Sequence, residues 1–179
     1  MKRKTITRNK PGLPAAALLL PVYLIVMSCV KEHTGKPLMA GEQLPAFVTT
    51  SIDGRTVRST DLLGRPSAII LFDTTCPDCH RQLPVLEDLW KGHADRLNVL
   101  AIARDQDAGT VSAFWKQAAY TMPAAAPGNR SVYNLFDRDS GTGVPQVYVS
   151  DKQGTVLLTG NDRNFLTENT ILRNIFQAE

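Results

Sequence analysis

The chain is short of cysteine, of aromatic residues and of any long apolar run, and each shortage closes off a class of protein. Three cysteines in 179 residues are too few for a disulfide scaffold, and an odd number leaves one without a partner in the chain. Aromatics make up 7% of the residues, against 43% hydrophobic and 21% charged. That balance is globular and excludes collagen-like, low-complexity and wholly disordered chains. The apolar stretch from Leu13 to Met27 is about fifteen residues, below the roughly 20 of a spanning helix. Pro14 and Pro21 weaken it further as a helix. Acids are absent from the first ten residues, where Lys2, Arg3, Lys4, Arg8 and Lys10 sit. Without these five, the overall 20 Lys+Arg against 17 Asp+Glu becomes fifteen against seventeen, a net of −2. The basic character is therefore a local N-terminal feature, and no nucleic-acid partner is expected.

A basic start, an apolar centre and a small residue near its end are the parts of a secretory signal. The segment closes with Ile25-Val26-Met27-Ser28-Cys29, which resembles a bacterial lipobox with Val26 where Leu is commoner. That resemblance implies cleavage before Cys29 and a diacylglycerol on its sulfur. The alternative is an uncleaved anchor in which Cys29 is a small passive hydrophobe; both tether the chain outside the cytoplasmic membrane. Lys31 to Ala40 has no apolar periodicity and reads as a flexible tether. The expected organisation is a signal peptide over 1–28, a lipidated tether over 29–40 and one domain over 41–179.

Within the domain, Ala46–Thr50 and Arg55–Val57 flank Asp53-Gly54, a hairpin signature. Ser59-Thr60-Asp61 caps a helical turn ending at Gly64. Ser67–Phe72 is a continuous apolar run suited to a strand buried on both faces. From Pro77 the pattern becomes helical, with Leu83, Leu86, Leu89 and Trp90 inward and Pro84 inside the helix. Leu97–Ala103 reads as a second buried strand and Thr110–Ala119 as a second helix. Arg130–Leu135 reads as a short helix, Gln146–Val149 with Thr155–Thr159 as an antiparallel pair, and Asn164–Phe176 as the last helix. Strands alternating with helices predict an α/β domain whose mixed central sheet is flanked by helices.

Cys76-Pro77-Asp78-Cys79 falls where a buried strand ends and a helix begins. The first helical turn offers unpaired N–H groups and a positive dipole end, both of which favour a thiolate at Cys76. Pro77 suits that turn because its missing N–H would have had no partner there. Two intervening residues let the sulfurs meet, so the pair can cycle between dithiol and disulfide, with Cys76 attacking and Cys79 resolving. Rival readings are half a zinc site, for which no second Cys/His pair exists at ligand spacing, and a static disulfide. A haem attachment is a third, since Cys76 to His80 matches its literal pattern. Gly143-Val144-Pro145 precedes a strand, where a proline is expected as a cis bond.

Taken with Gly41-x-x-Leu44-Pro45-x-Phe47, Leu62-x-Gly64-Arg65-Pro66, Pro84 and Asp151-x-x-Gly154, these motifs mark a resemblance. The chain resembles the thioredoxin-like superfamily, most closely the membrane-anchored TlpA/ResA-type thiol–disulfide oxidoreductases. The resemblance implies a thioredoxin fold with an N-terminal β-hairpin extension. It also implies a cis-Pro145 beside the cysteines, with the Val144 backbone available to an extended substrate. Three positions depart from the family pattern. Thr75 replaces the Trp before the first cysteine, and the two acid positions that assist the resolving thiol hold Ile70 and Gln82. Asp73 and Asp78 are then the only adjacent acids; Asp78 is expected on the surface, where its charge opposes the thiolate.

The expected function is reduction of protein disulfides at Cys76 and Cys79 by a periplasm-facing lipoprotein. No cofactor and no metal are called for. An upstream membrane reductant would be its electron donor, and a monomer is the expected state. The alternatives are a thiol peroxidase of the peroxiredoxin type, and a copper-binding lipoprotein using Cys76, Cys79 and His80. The peroxidase reading needs Thr or Ser three residues before the cysteine, where this chain has Asp73. Asp137 to Thr142 reads as a polar loop bordering Cys76, either steering partners or merely connecting.

Overall fold

Alternation of burial along the apolar runs decides the architecture. In the strand β3 (Ser67–Phe72), Ala68, Ile70 and Phe72 enter one core while Ile69 and Leu71 enter the other. The strand β4 (Asn98–Ala103) divides in the same way, Val99, Ala101 and Ala103 against Leu100 and Ile102. Both strands are buried throughout, as a sheet covered on two faces requires.

The computed structural model describes residues 36–138 and 141–176, which belong to one compact unit, Thr34–Glu179. Ahead of β3 come the hairpin strands β1 (Val48–Thr50) and β2 (Thr56–Arg58) and a 3-10 turn over Ser59–Leu62. Gly54 sits in the hairpin turn at φ 85°, where a side chain would be strained. After β3 follow the helix α1 (Pro77–His93), β4, the helix α2 (Ala108–Ala118) and the strand β5 (Ala124–Ala125). The chain continues through α3 (Ser131–Asp137), β6 (Gln146–Ser150), β7 (Val156–Asn161) and α4 (Glu168–Phe176). The five-stranded sheet has the order β5-β4-β3-β6-β7. Its β3–β4 and β4–β5 pairs are parallel, while β3–β6 and β6–β7 are antiparallel.

One core lies under α1, α2 and α4, with Leu83, Leu86, Val111, Trp115, Ile171 and Ile175 against the sheet. Each fully buried leucine there contributes about 1.5–3 kcal/mol. The opposite core sets Val132, Tyr133 and Phe136 of α3 against Ile69, Leu71 and Tyr148. This is the mixed sheet and hairpin that the sequence resemblance implied. Among the described residues, no helix is long and apolar enough to cross a membrane.

Several boundaries differ from those expected. Packing begins before Gly41: Leu38 is 1% exposed and its amide donates to the Phe136 carbonyl at 2.9 Å. The last helix starts at Glu168, not at Asn164. Gln82 holds the Leu166 backbone outside the helix, and the Thr167 hydroxyl accepts from the Thr170 amide at 3.2 Å as a cap. The second helix starts at Ala108, one residue after Asp107, whose carboxylate takes the Thr110 amide. The strand β5 was not expected. The signal segment 1–28, Cys29 and tether residues up to 35 lie outside the described residues, as do Asp139, Ser140 and 177–179.

Candidate active site

The end of β3 and the start of α1 set the two cysteines at different depths. Cys76 is the residue before the first helical one, with an extended backbone (φ −84°, ψ 116°), and Pro77 opens the helix. Cys76 is partly exposed, whereas Cys79, inside the first turn, is fully buried. Both are free thiols. Burial pushes the Cys79 thiol far up; the Asp73 backbone amide pulls it back, and the nearby Cys76 and Asp73 side chains add to the rise. The two thiols thus sit in different surroundings, one at the surface and one enclosed.

The thiol of Cys76 donates to the Val144 carbonyl at 3.3 Å, and the Val144–Pro145 peptide is cis. Cys76, Val144 and Pro145 thus converge, although 68 residues separate Cys76 from Val144. Pro77 is exposed. Asp78 lies at the surface and pairs with Arg81 at 3.3 Å, and the Arg81 guanidinium stacks 4.2 Å from the Phe165 ring centroid.

Arg104 and Gln106, neither of them singled out from the sequence, join Asp73 around the cysteines. The parallel register sets Phe72 beside Ala103, so the next residues of each strand, Asp73 and Arg104, meet. Asp73 accepts from the Thr75 amide at 2.9 Å and from its hydroxyl at 2.7 Å through one oxygen. Its other oxygen takes Arg104 at 3.0 Å. The Cys76 amide donates to the Asp73 carbonyl at 3.2 Å, so this turn fixes the entry into α1. Gln106 clasps Thr74 through both amide atoms, at 2.9 and 2.7 Å. His80 bonds the Thr74 carbonyl through Nε2 at 2.7 Å and stacks on Phe114. Strand-end neighbours of a buried parallel pair were the one signal that could have found Arg104.

The segment leading to Pro145 is not the solvated loop expected. Asp137 is 2% exposed and accepts from the Gly141 amide at 3.2 Å, the Gln146 side-chain amide at 3.1 Å and the Thr142 hydroxyl. The Gln146 amide also donates to the Gly143 carbonyl at 3.0 Å, and the Tyr133 hydroxyl donates to the Thr142 carbonyl. Arg138 pairs with Glu42 at 2.9 Å. Among the described residues, these groups brace the Gly143–Pro145 turn and engage the charges of Asp137 and Arg138. Among the described residues, no three His, Cys, Asp or Glu side chains form a metal-binding group.

Residues 40–158 match the AhpC/TSA family model. The thiol-disulfide oxidoreductase ResA of Bacillus thuringiensis (strain Al Hakam) is 23% identical over 122 residues, covering 67% of this chain and 68% of that protein. The ResA of Geobacillus thermodenitrificans is 26% identical over 142 residues, covering 77% and 78%. Among solved structures, the thioredoxin domain of a Bacteroides vulgatus thiol-disulfide oxidoreductase superposes with a TM-score of 0.67 at 14% identity, covering 79% of this chain and 98% of that one. The exposed lipoprotein thioredoxin of Streptococcus pneumoniae gives 0.62 at 21% identity, covering 74% and 99%. At such identities the structural likeness speaks for the fold, which is thioredoxin-like. With well over half its length matched and this fold in place, the chain belongs to the AhpC/TSA family of thioredoxin-like proteins.

Proposed function

We propose that the protein is a thiol–disulfide oxidoreductase that reduces protein disulfides with Cys76 and Cys79. The observation that carries this reading is the difference in depth of the two thiols, with the outer one against the Val144–Pro145 turn. Cys76 attacks a substrate disulfide, forms a mixed disulfide and releases the first substrate thiol. Cys79 then attacks the Cys76 sulfur, closes the Cys76–Cys79 disulfide and releases the second. Pro77 keeps the helix start open, and Asp78 tempers the charge near the attacking sulfur. The backbone at Val144 and Pro145 would bind an extended stretch of the substrate. An upstream membrane reductant returns the pair to the dithiol.

In this reading the chemistry lies outside the cytoplasmic membrane, on a monomer held by lipid at Cys29 through a tether beginning there. The similarity to an exposed lipoprotein thioredoxin supports that reading. Turbidimetric insulin reduction by the full chain tests the activity. Wild type should accelerate it, Cys76→Ser should abolish it, and Cys79→Ser should accumulate mixed disulfides in the native envelope. Peroxide consumption with no insulin reduction would overturn the reading in favour of a thiol peroxidase.

A further inference from the structure

Beneath the cysteine pair lies a second charged pair that the exchange steps do not use. Asp73 is 7% exposed, and the Arg104 side chain reaches it from the end of the neighbouring strand. Cys79, fully buried, has the Asp73 amide and the Cys76 thiol among its polar neighbours. We infer that Asp73 and Arg104 are positioning residues for the resolving step. Arg104 cancels the field of the Asp73 carboxylate and so sets how readily Cys79 gives up its proton. The inference rests on the dithiol reading above.

Asp73 invites the opposite idea, that it removes the Cys79 proton itself. Its surroundings argue against that. One oxygen is held by the Thr75 amide and hydroxyl and the other by Arg104. Burial pushes the Asp73 carboxyl up, but those Thr75 and Arg104 contacts outweigh it and hold it below the usual carboxylate range. A carboxylate that resists protonation is a poor base. Its charge instead opposes a second anion nearby, and it is among the causes of the high Cys79 value. The guanidinium at 3.0 Å offsets that repulsion in a site where few other charges compete.

Among the described residues, the ionisable groups near the cysteines and the Asp73–Arg104 pair include Asp78, His80 and Arg81 on α1, Asp105 beside Arg104, and Tyr133 of α3, which feels the Arg104 charge. Asp78 is paired with Arg81, and Asp105 lies 3.9 Å from Arg104 Nε. The Gly143–Pro145 turn that faces the cysteines carries no ionisable side chain.

The step at issue is the second one of exchange. The Cys79 proton passes to solvent, and the Cys79 thiolate attacks the Cys76 sulfur. The bond from Cys76 to the substrate sulfur breaks, and its electron pair leaves with the departing thiolate. Dithionitrobenzoate, an aromatic disulfide, reports both steps and is itself the oxidant. Cys76 releases a first equivalent of coloured thiolate and Cys79 a second. The measurement uses the full chain in a Cys29→Ser background, which leaves two thiols, followed across a pH series.

Half a pH unit corresponds to about threefold in thiolate population, which sets the scale expected at pH 7. The second release should be about threefold faster in Asp73→Asn, which can still accept from the Thr75 amide, and about threefold slower in Arg104→Gln. The double variant should return to within about twofold of the parent, and Arg104→Lys should stay close to it, with the pH profiles displaced accordingly. A slower second release in Asp73→Asn would make Asp73 the base and overturn the inference. Unmoved profiles with a lowered Tm would reduce the pair to a structural clamp and overturn it equally. Failure of the parent to release any second equivalent would defeat the dithiol reading instead.

Discussion

Gln82 grips Leu166 by both ends of the same residue's backbone. Its side-chain amide donates to the Leu166 carbonyl at 2.9 Å, and its side-chain carbonyl accepts from the Leu166 amide at 3.0 Å. Gln82 is 1% exposed and lies 84 residues from its partner, so this one side chain pins the chain ahead of α4 onto α1.

A carboxylate in that place accepts but cannot donate. Gln82→Glu should therefore leave the Leu166 carbonyl unpaired and cost about 1–3 kcal/mol at pH 7. Protonation restores a donor, so the carboxyl introduced would titrate above its unfolded value. The mutant's deficit should then shrink on acidification and grow as pH rises through that folded value. Urea unfolding at pH 4 and pH 7 checks this; a deficit independent of pH would contradict it.

Glu87 offers the reverse sign. It is 3% exposed, accepts from the Met122 amide at 2.9 Å and from the Thr121 amide and hydroxyl, and pairs with Lys91 at 3.1 Å. Burial pushes its carboxyl up, but the Met122, Thr121 and Lys91 contacts outweigh that and hold it below the ordinary glutamate value. A depressed folded value gives stability that is present at neutral pH and lost as pH falls below about 4.5. Glu87→Gln should cost about 1–3 kcal/mol at pH 7 and flatten the acid limb of stability. Chemical unfolding between pH 3 and pH 7 measures both effects.

Asp137→Ala should remove the shared acceptor of Gly141, Thr142 and Gln146 and cost about 1–3 kcal/mol. Because those donors support the Gly143–Pro145 turn, disulfide exchange should slow alike toward a protein and a small disulfide. A loss confined to the protein substrate would restore a partner-selecting role to this segment.

Cys29→Ala should block processing of the N-terminal segment or release the domain into the soluble fraction. Membrane fractionation with mass measurement of the N-terminus decides this. Unchanged processing and retention would favour an uncleaved anchor.

What could be read from residues alone was what local pattern encodes. The apolar run of β3, the helix opening at Pro77 and the hairpin around Asp53-Gly54 each carry their own signal, and each lies where expected. The two cysteines and the proline at 145 were legible because a thiol pair at a helix start and a proline before a strand are themselves chemical statements. β5 was not legible, because Ala124 and Ala125 have no strand preference of their own. They are made a strand by pairing with Ala101 and Ile102. Asp137 looked like a loop charge because nothing near it in sequence tells of Gln146 waiting above it. Arg104 carried no signal of its own for the same reason: its meaning lies in a strand register, not in its neighbours.

The hairpin ahead of the sheet has a consequence for how these molecules behave at close quarters. The Ala126 amide donates to Thr50 at 3.1 Å, the Ile52 amide donates to Ala124 at 3.0 Å, and Ser51 bridges to Ala125. At the other margin, the Gly41 amide donates to Val156 and the Val156 amide to Glu42, both at 2.8 Å. Each outer strand is thus partly occupied by the protein's own N-terminal residues. An unoccupied strand margin is a template on which neighbouring chains polymerise. With both margins of the sheet partly covered in this way, the domain is shielded from stacking onto copies of itself.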